Sequence, residues 1–119
     1  MSQAALSNDQ MQAVLADIWS KSLPLLKERV RVLERAVDAL ADGSLAGPLR
    51  AQAGEEAHKL AGLLGTFGYP EGTDAARMLE TEFDAQAPEE LIALQAQARD
   101  GDVEQMRDAV RLLRKIVGS

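Results

Sequence analysis

Apolar residues return every three or four positions along most of this chain, and Pro, Gly and Asp-Gly pairs fall between the stretches in which they do so. Leu26, Val30, Leu33, Val37 and Leu40 form the cleanest stripe, with Glu28, Arg29, Arg31, Glu34 and Arg35 mostly off it. Asp42-Gly43 then ends that helix. An earlier segment carries Met11, Leu15, Ile18 and Trp19, opened by Ser7 with Gln10 in capping-box position. Pro24 falls between the two stripes and allows either one kinked helix or a new helix from Ser22 with the proline in its first turn.

Further along, Pro48 sits near the first turn of a helix that ends at Gly68, just before Pro70. A helix over about 70–85 follows, with Ala75, Met78 or Leu79, and Phe83 facing a core. Pro88 opens another that carries Leu91, Ile92, Leu94 and Ala98, and Asp100-Gly101 breaks it. Asp102 and Gln105 resemble a further cap, and Val103, Met106, Val110, Leu113 and Val117 make the last stripe. Arg111, Arg114 and Lys115 suit the negative end of that helix dipole. Short connections make successive helices antiparallel neighbours. The expected fold is therefore all-α: an antiparallel up-down four-helix bundle with an additional N-terminal helical segment, in one domain over 1–119 whose residues 1–6 are a flexible lead-in.

Composition narrows the function classes. Hydrophobic residues are 46% of the chain but aromatics only 3%, and the apolar content is largely Ala and Leu, as helices prefer. There is no cysteine, which removes disulfide frameworks and Cys-based zinc sites. Nineteen acidic against thirteen basic residues give a net charge of -6, the wrong sign for a phosphate backbone, so nucleic acid is not an expected partner. The N-terminus lacks a signal-peptide pattern and no apolar run approaches spanning length, so no membrane association is expected and a cytoplasmic location is.

The single histidine, His58, lies in "AGEEAHKLAGLLGTFGYPEG", Ala53 to Gly72, with five of the nine glycines. On a helical wheel at about 100° per residue, Leu49, Ala53, Ala57, Leu60, Leu63, Leu64 and Phe67 crowd the pole opposite His58. His58 shares its own side with Ala51, Gly54, Glu55, Ala61, Gly62 and Gly65. Three helix-interior glycines cost roughly 3 kcal/mol relative to alanine. Two explanations compete: another helix of the chain packs on the glycines, or they clear space around an exposed imidazole for a partner protein. Free imidazole is largely neutral at pH 7, and the neutral ring is a nucleophile. One His without Cys or a second His makes no usual metal site, no Ser-His-acid spacing is legible, and "GLLGTFG" lacks the Gly-Lys-Ser/Thr of a phosphate loop. What remains is a histidine that carries a group, on a chain with no autonomous catalysis expected.

At this point "AHKLAGLLGTFGYPEGTDAARMLE", Ala57 to Glu80, resembles the signature of histidine-containing phosphotransfer (HPt) domains of bacterial two-component phosphorelays. His58 matches the phosphoacceptor, Leu60 and Gly62 the Leu and Gly that follow it, and Phe67-Gly68 the helix end. Ala76-Arg77 with Leu79-Glu80 match the next helix, and upstream "DIWSKSLPLLKERVRVLERA" resembles the first helices of HPt domains attached to response regulators. The resemblance implies a phosphorelay intermediate: His58 accepts a phosphoryl group from a receiver-domain phosphoaspartate and passes it to another receiver. It implies Gly54, Glu55, Lys59, Ala61, Gly62 and Gly65 as the partner-binding face, and receiver domains, with a hybrid histidine kinase as a second partner, around a monomer. No cofactor is expected on this chain, Mg²⁺ belonging to the receiver. The family's lysine three residues after the histidine is Ala61 here, and Lys59 lies about 100° around the helix. That departure supports an alternative: a pseudo-HPt module that docks receivers without being phosphorylated. Trp19, Met78 and the Leu stripes read as core.

Overall fold

The computed structural model describes residues 7–83 and 100–118. Four helices stand among them: α1, Asn8–Ala41; α2, Gly47–Thr66; α3, Pro70–Glu82; and α4, Asp100–Val117. The helix expected after Pro88, with Leu91, Ile92, Leu94 and Ala98, lies outside the described residues, as do residues 1–6. Each of the four helices has two principal neighbours, α1 and α3 each packing on both α2 and α4. The bundle expected from the short connections is thus formed.

α1 begins as the sequence predicts. The Ser7 hydroxyl accepts from the Gln10 backbone N–H and the Gln10 side chain accepts from the Ser7 N–H, a reciprocal capping box. One continuous helix then runs through Pro24, so the proline interrupts a hydrogen bond without ending the helix. Leu26, Val30, Leu33, Val37 and Leu40 are all buried, as their spacing requires. The earlier stripe behaves differently: Met11 and Ile18 are exposed, and Trp19 is the first α1 side chain to pack on the core. About 51 Å of helix is longer than any partner here can cover, α2 being about 30 Å long.

Both turns between the first three helices close in the same way. At the end of α2, the Tyr69 N–H reaches the Leu64 carbonyl at 2.9 Å and the Gly68 N–H reaches that of Gly65 at 3.2 Å, a Schellman motif with Gly68 at φ 83°. At the end of α1, Ser44 bonds Ala39 at 2.8 Å and Gly43 bonds Leu40 at 3.1 Å, with Gly43 at φ 72°. A side chain in that left-handed region strains the backbone, so glycine at these two positions is dictated by the turns. Pro48 and Pro70 lie in the first turns of α2 and α3 as expected.

Three details depart from the sequence reading. α4 already includes Asp100 and Gly101, where a break followed by a cap at Asp102 is expected, a single glycine's propensity cost being modest. On α3 it is Ala76, Leu79 and Phe83 that are fully buried, while Ala75 and Met78 are half-buried at the margin. Phe67 is half-buried too, set edge-on against Trp19 at 5.0 Å between ring centroids, and Trp19 also meets Tyr69 at 5.1 Å. These rings pin the end of α2 to α1.

At the start of α3, Gly72 is buried so tightly that a Cβ would come 2.7 Å from Ile116 Cδ1 and 2.9 Å from Leu64 Cδ1. Three helices meet at this point. Gly72→Val is therefore expected to lose about 1–3 kcal/mol of stability through overpacking, read as a lowered urea or thermal midpoint. An unchanged midpoint would contradict the close approach.

Candidate functional site

Burial on α2 sorts its side chains into two arcs. Ala53, Ala57, Leu60, Ala61 and Leu64 are buried, whereas Ala51, Gln52, Glu55, His58, Lys59, Gly62, Gly65 and Thr66 are exposed. His58 sits at the edge of the exposed arc nearest α3, with 75% of its side chain open to solvent. The wheel's central inference, an outward histidine, is what the structure has.

The edge position brings a neighbour that the sequence reading used only as part of the family pattern. Glu80 of α3 places Oε2 2.8 Å from His58 Nδ1. A carboxylate oxygen can only accept here, so Nδ1 carries the proton and donates. In the neutral ring this leaves Nε2 with the lone pair and with no hydrogen-bond partner among the described residues. Glu80 is itself partly sheltered, at 34% exposure, which restricts its range of positions and thereby that of the ring. The resulting pair is a fixed imidazole whose free nitrogen is a nucleophile.

The register that makes this pair follows from the turn. α2 and α3 are antiparallel about Tyr69, and His58 and Glu80 lie eleven positions before and after it. The same register sets Thr73 beside α2, where its hydroxyl donates to the Ala61 carbonyl at 3.1 Å. Farther from the turn, the Arg50 guanidinium donates to the Phe83 carbonyl, satisfying a backbone acceptor at the end of α3. On another side of α2 the part-buried Arg29 guanidinium donates to the Glu56 carboxylate and ties α1 to α2 close to the histidine.

The six residues expected on the partner face divide accordingly. Glu55, Lys59, Gly62 and Gly65 are exposed. Ala61 is not: at 5% exposure it lies beneath α3, a correction to its placement beside His58 on the surface. Gly54 is half-buried in the same seam, where a Cβ would lie 3.5 Å from the Phe83 carbonyl oxygen. The wheel measured angles about one helix and could not say on which flank of His58 a neighbour would sit. Among the described residues Gly62 is the open position, with nothing within 4 Å of where its Cβ would be, and Gly65 meets the Thr73 hydroxyl at 3.4 Å. Each of the two explanations for the small residues thus holds for part of the face: helix packing for Gly54 and Ala61, open space at Gly62.

Arg77, one turn before Glu80 on α3, enters the sequence analysis only as part of the family pattern, and in the structure it is an exposed cation. Neither it nor Lys59 forms an ion pair among the described residues. Those residues also hold no group of three or more His, Cys, Asp or Glu side chains that could bind a metal ion, and no helix long and apolar enough to cross a membrane.

If Glu80 fixes the ring, Glu80→Ala should release it. In nitrogen-resolved NMR of the neutral imidazole, the parent is expected to show mainly the Nδ1–H tautomer and the variant to lose that preference. An identical tautomer ratio in both would show that the carboxylate does not set the proton position.

Against known proteins, residues 17–116 match the family described as Hpt domain. Protein RcaC of Microchaete diplosiphon is 35% identical over 74 residues, which are 62% of this chain and 11% of that protein. The chain thus spans a small part of the length of this relative. No solved structure matches. An outward histidine on a helical bundle and a family match over most of the chain agree, and the chain belongs to the Hpt domain family, whose work is phosphorelay.

Proposed function

We propose that His58 is the phosphoacceptor of a relay in which one receiver domain donates a phosphoryl group and another removes it. The observation that carries this reading is the pairing of His58 Nδ1 with Glu80 beside the open surface at Gly62. A receiver docks over Gly62, Gly65, Glu55 and Lys59, and its phosphoaspartate comes within reach of Nε2. The Nε2 lone pair forms the N–P bond as the acyl phosphate P–O bond breaks, and the aspartate carboxylate leaves with the bonding electrons. Because Nδ1 keeps its proton, the ring becomes cationic, and the Glu80 carboxylate lies where that charge develops. Return of the phosphoryl group to a second receiver reverses these steps. Mg²⁺ belongs to the receiver in this scheme, and this chain supplies the nucleophile, its orientation and a clear approach, acting as a carrier without autonomous catalysis.

The second reading, a module that docks receivers without carrying phosphate, is favoured by one observation: Ala61 is buried and offers no cation where the resembling family has lysine. Lys59 and Arg77 are the exposed cations that can face the incoming phosphoryl group in its place. One assay separates the readings. Incubated with a phosphorylated receiver, the chain is expected to gain acid-labile phosphate, and His58→Gln to gain none while keeping its helical circular dichroism. Receiver binding without phosphate on the parent chain would establish the docking module instead.

The docking face has its own test. Gly62→Glu is expected to slow transfer by about tenfold or more, corresponding to roughly 1.4 kcal/mol of lost docking or transition-state energy, with little change in the thermal midpoint because the position is open. A parental transfer rate in that variant would place the receiver elsewhere.

A further inference from the structure

The first turns of α1 present an apolar face that nothing among the described residues covers. From Asn8 to Ile18 every side chain is exposed except the half-buried Leu15. Met11 and Val14 are each 44% exposed, Ile18 45% and Leu25 54%. Together with Leu15 these residues fall within about 100° of one another around the helix, a stripe about 21 Å long. Farther along α1, Leu33, Ala36 and Leu40 occupy that same arc and are buried. The exposed stripe is therefore the core-facing side of α1 continued beyond the bundle. Isolated exposed apolar residues are ordinary, but a contiguous stripe marks an interaction surface. Phe83 adjoins Arg50 near the start of α2, and α4 runs antiparallel to α1, with Arg107 bonded to Asp38 and Arg114 to Glu34, so Phe83 and the first turns of α4 lie toward the end of the bundle away from the stripe.

The charges around the stripe identify its occupant. Between Asn8 and Leu26 the only charged residues are Asp9, Asp17 and Lys21, in a chain of net charge -6. So sparsely charged a surface carries little of the repulsion that the net charge imposes between two copies. Asp17 and Lys21 form an exposed i,i+4 pair at 2.9 Å along one flank. When two such helices lie antiparallel about a two-fold axis, like flanks meet with their order reversed. An axis crossing at Ile18 then sets Met11 opposite Leu25 and Ile18 opposite its own symmetry mate, and brings Asp17 of each copy within about 3 Å, measured along the helix, of the level of Lys21 of the other. Opposite charges meet opposite charges, and apolar residues meet apolar residues.

We propose that the N-terminal half of α1 is a self-association surface on which two copies pair antiparallel about a two-fold axis near Ile18. A single-helix stripe is at the small end of specific interfaces, so the dimer is reversible and concentration-dependent. This departs from the monomer expected from the sequence and does not depend on the role of His58. Its stripe stops at Leu25, one turn before Arg29 and Glu56 mark the level of the histidine.

Sedimentation or light scattering of the full chain across micromolar to millimolar concentrations tests the proposal. The mass is expected to rise toward twice that of the monomer, and Ile18→Glu, an exposed position outside the core, to weaken association by about tenfold or more. Asp17→Lys should weaken it, and Asp17→Lys with Lys21→Asp should restore it, since the swap re-pairs charges across the axis. In this cysteine-free chain, Ile18→Cys should oxidise to a symmetric cross-linked dimer. A monomeric mass at millimolar concentration overturns the proposal, as does association unaffected by Ile18→Glu. If the parent stays monomeric and Ile18→Glu abolishes binding to a receiver domain, the stripe serves the receiver and the proposal is wrong.

Discussion

The seam between α2 and α3 is the constraint on which the site depends. Gly68 reverses the chain, and the antiparallel register that follows brings small residues of α2, Gly54 and Ala61, against α3. Small residues allow close approach, and at Gly54 the α3 backbone comes within ordinary contact distance of where a Cβ would be. Close approach gives Glu80 its reach to His58 Nδ1. A wider separation would leave an exposed histidine rotating freely, with no preference for which nitrogen stays bare. Packing energy in the seam is thus converted into orientation of a surface side chain.

The glycine cost on α2 is divided between two purposes. Gly54 belongs to the seam, where a Cβ would just reach ordinary contact with the Phe83 carbonyl oxygen. Gly62 lies on open surface and packs against no other element among the described residues, so its propensity cost of about 1 kcal/mol is not recovered in contacts among them. An unrecovered local cost next to an oriented nucleophile is a feature of binding sites, where stability and function pull apart. Buried polar groups nearby contribute to the same rigidity: Thr73 is satisfied by the Ala61 carbonyl, and the Arg29–Glu56 pair bridges α1 and α2.

At the other extreme of the molecule α1 outruns its partners. Continuous helix through Pro24 carries the core-facing arc past the bundle, and three aromatic rings, Trp19, Phe67 and Tyr69, mark where coverage ends. The histidine face and the apolar stripe have opposite characters. One is polar and open around a single oriented ring, and the other is apolar and nearly free of charge.

Periodicity, caps and turn residues in the sequence determined the fold class, most helix boundaries and the outward direction of His58, because these depend on local spacing that every helix obeys. The Ser7 capping box, the Leu26 to Leu40 stripe and the glycine turn at Gly68 were all legible for that reason. Which flank of α2 would be covered was not, since a wheel describes one helix and carries no information about its neighbour's azimuth. Ala61 and Gly54 therefore changed from surface to seam only when α3 was in place. Glu80 could have been found by counting eleven residues either side of Tyr69, but only once that turn was known to pair α2 with α3. The exposure of Met11 and Ile18 was likewise a tertiary decision. Apolar spacing states that a face wants cover, and only the lengths of the packed helices determine whether it receives any.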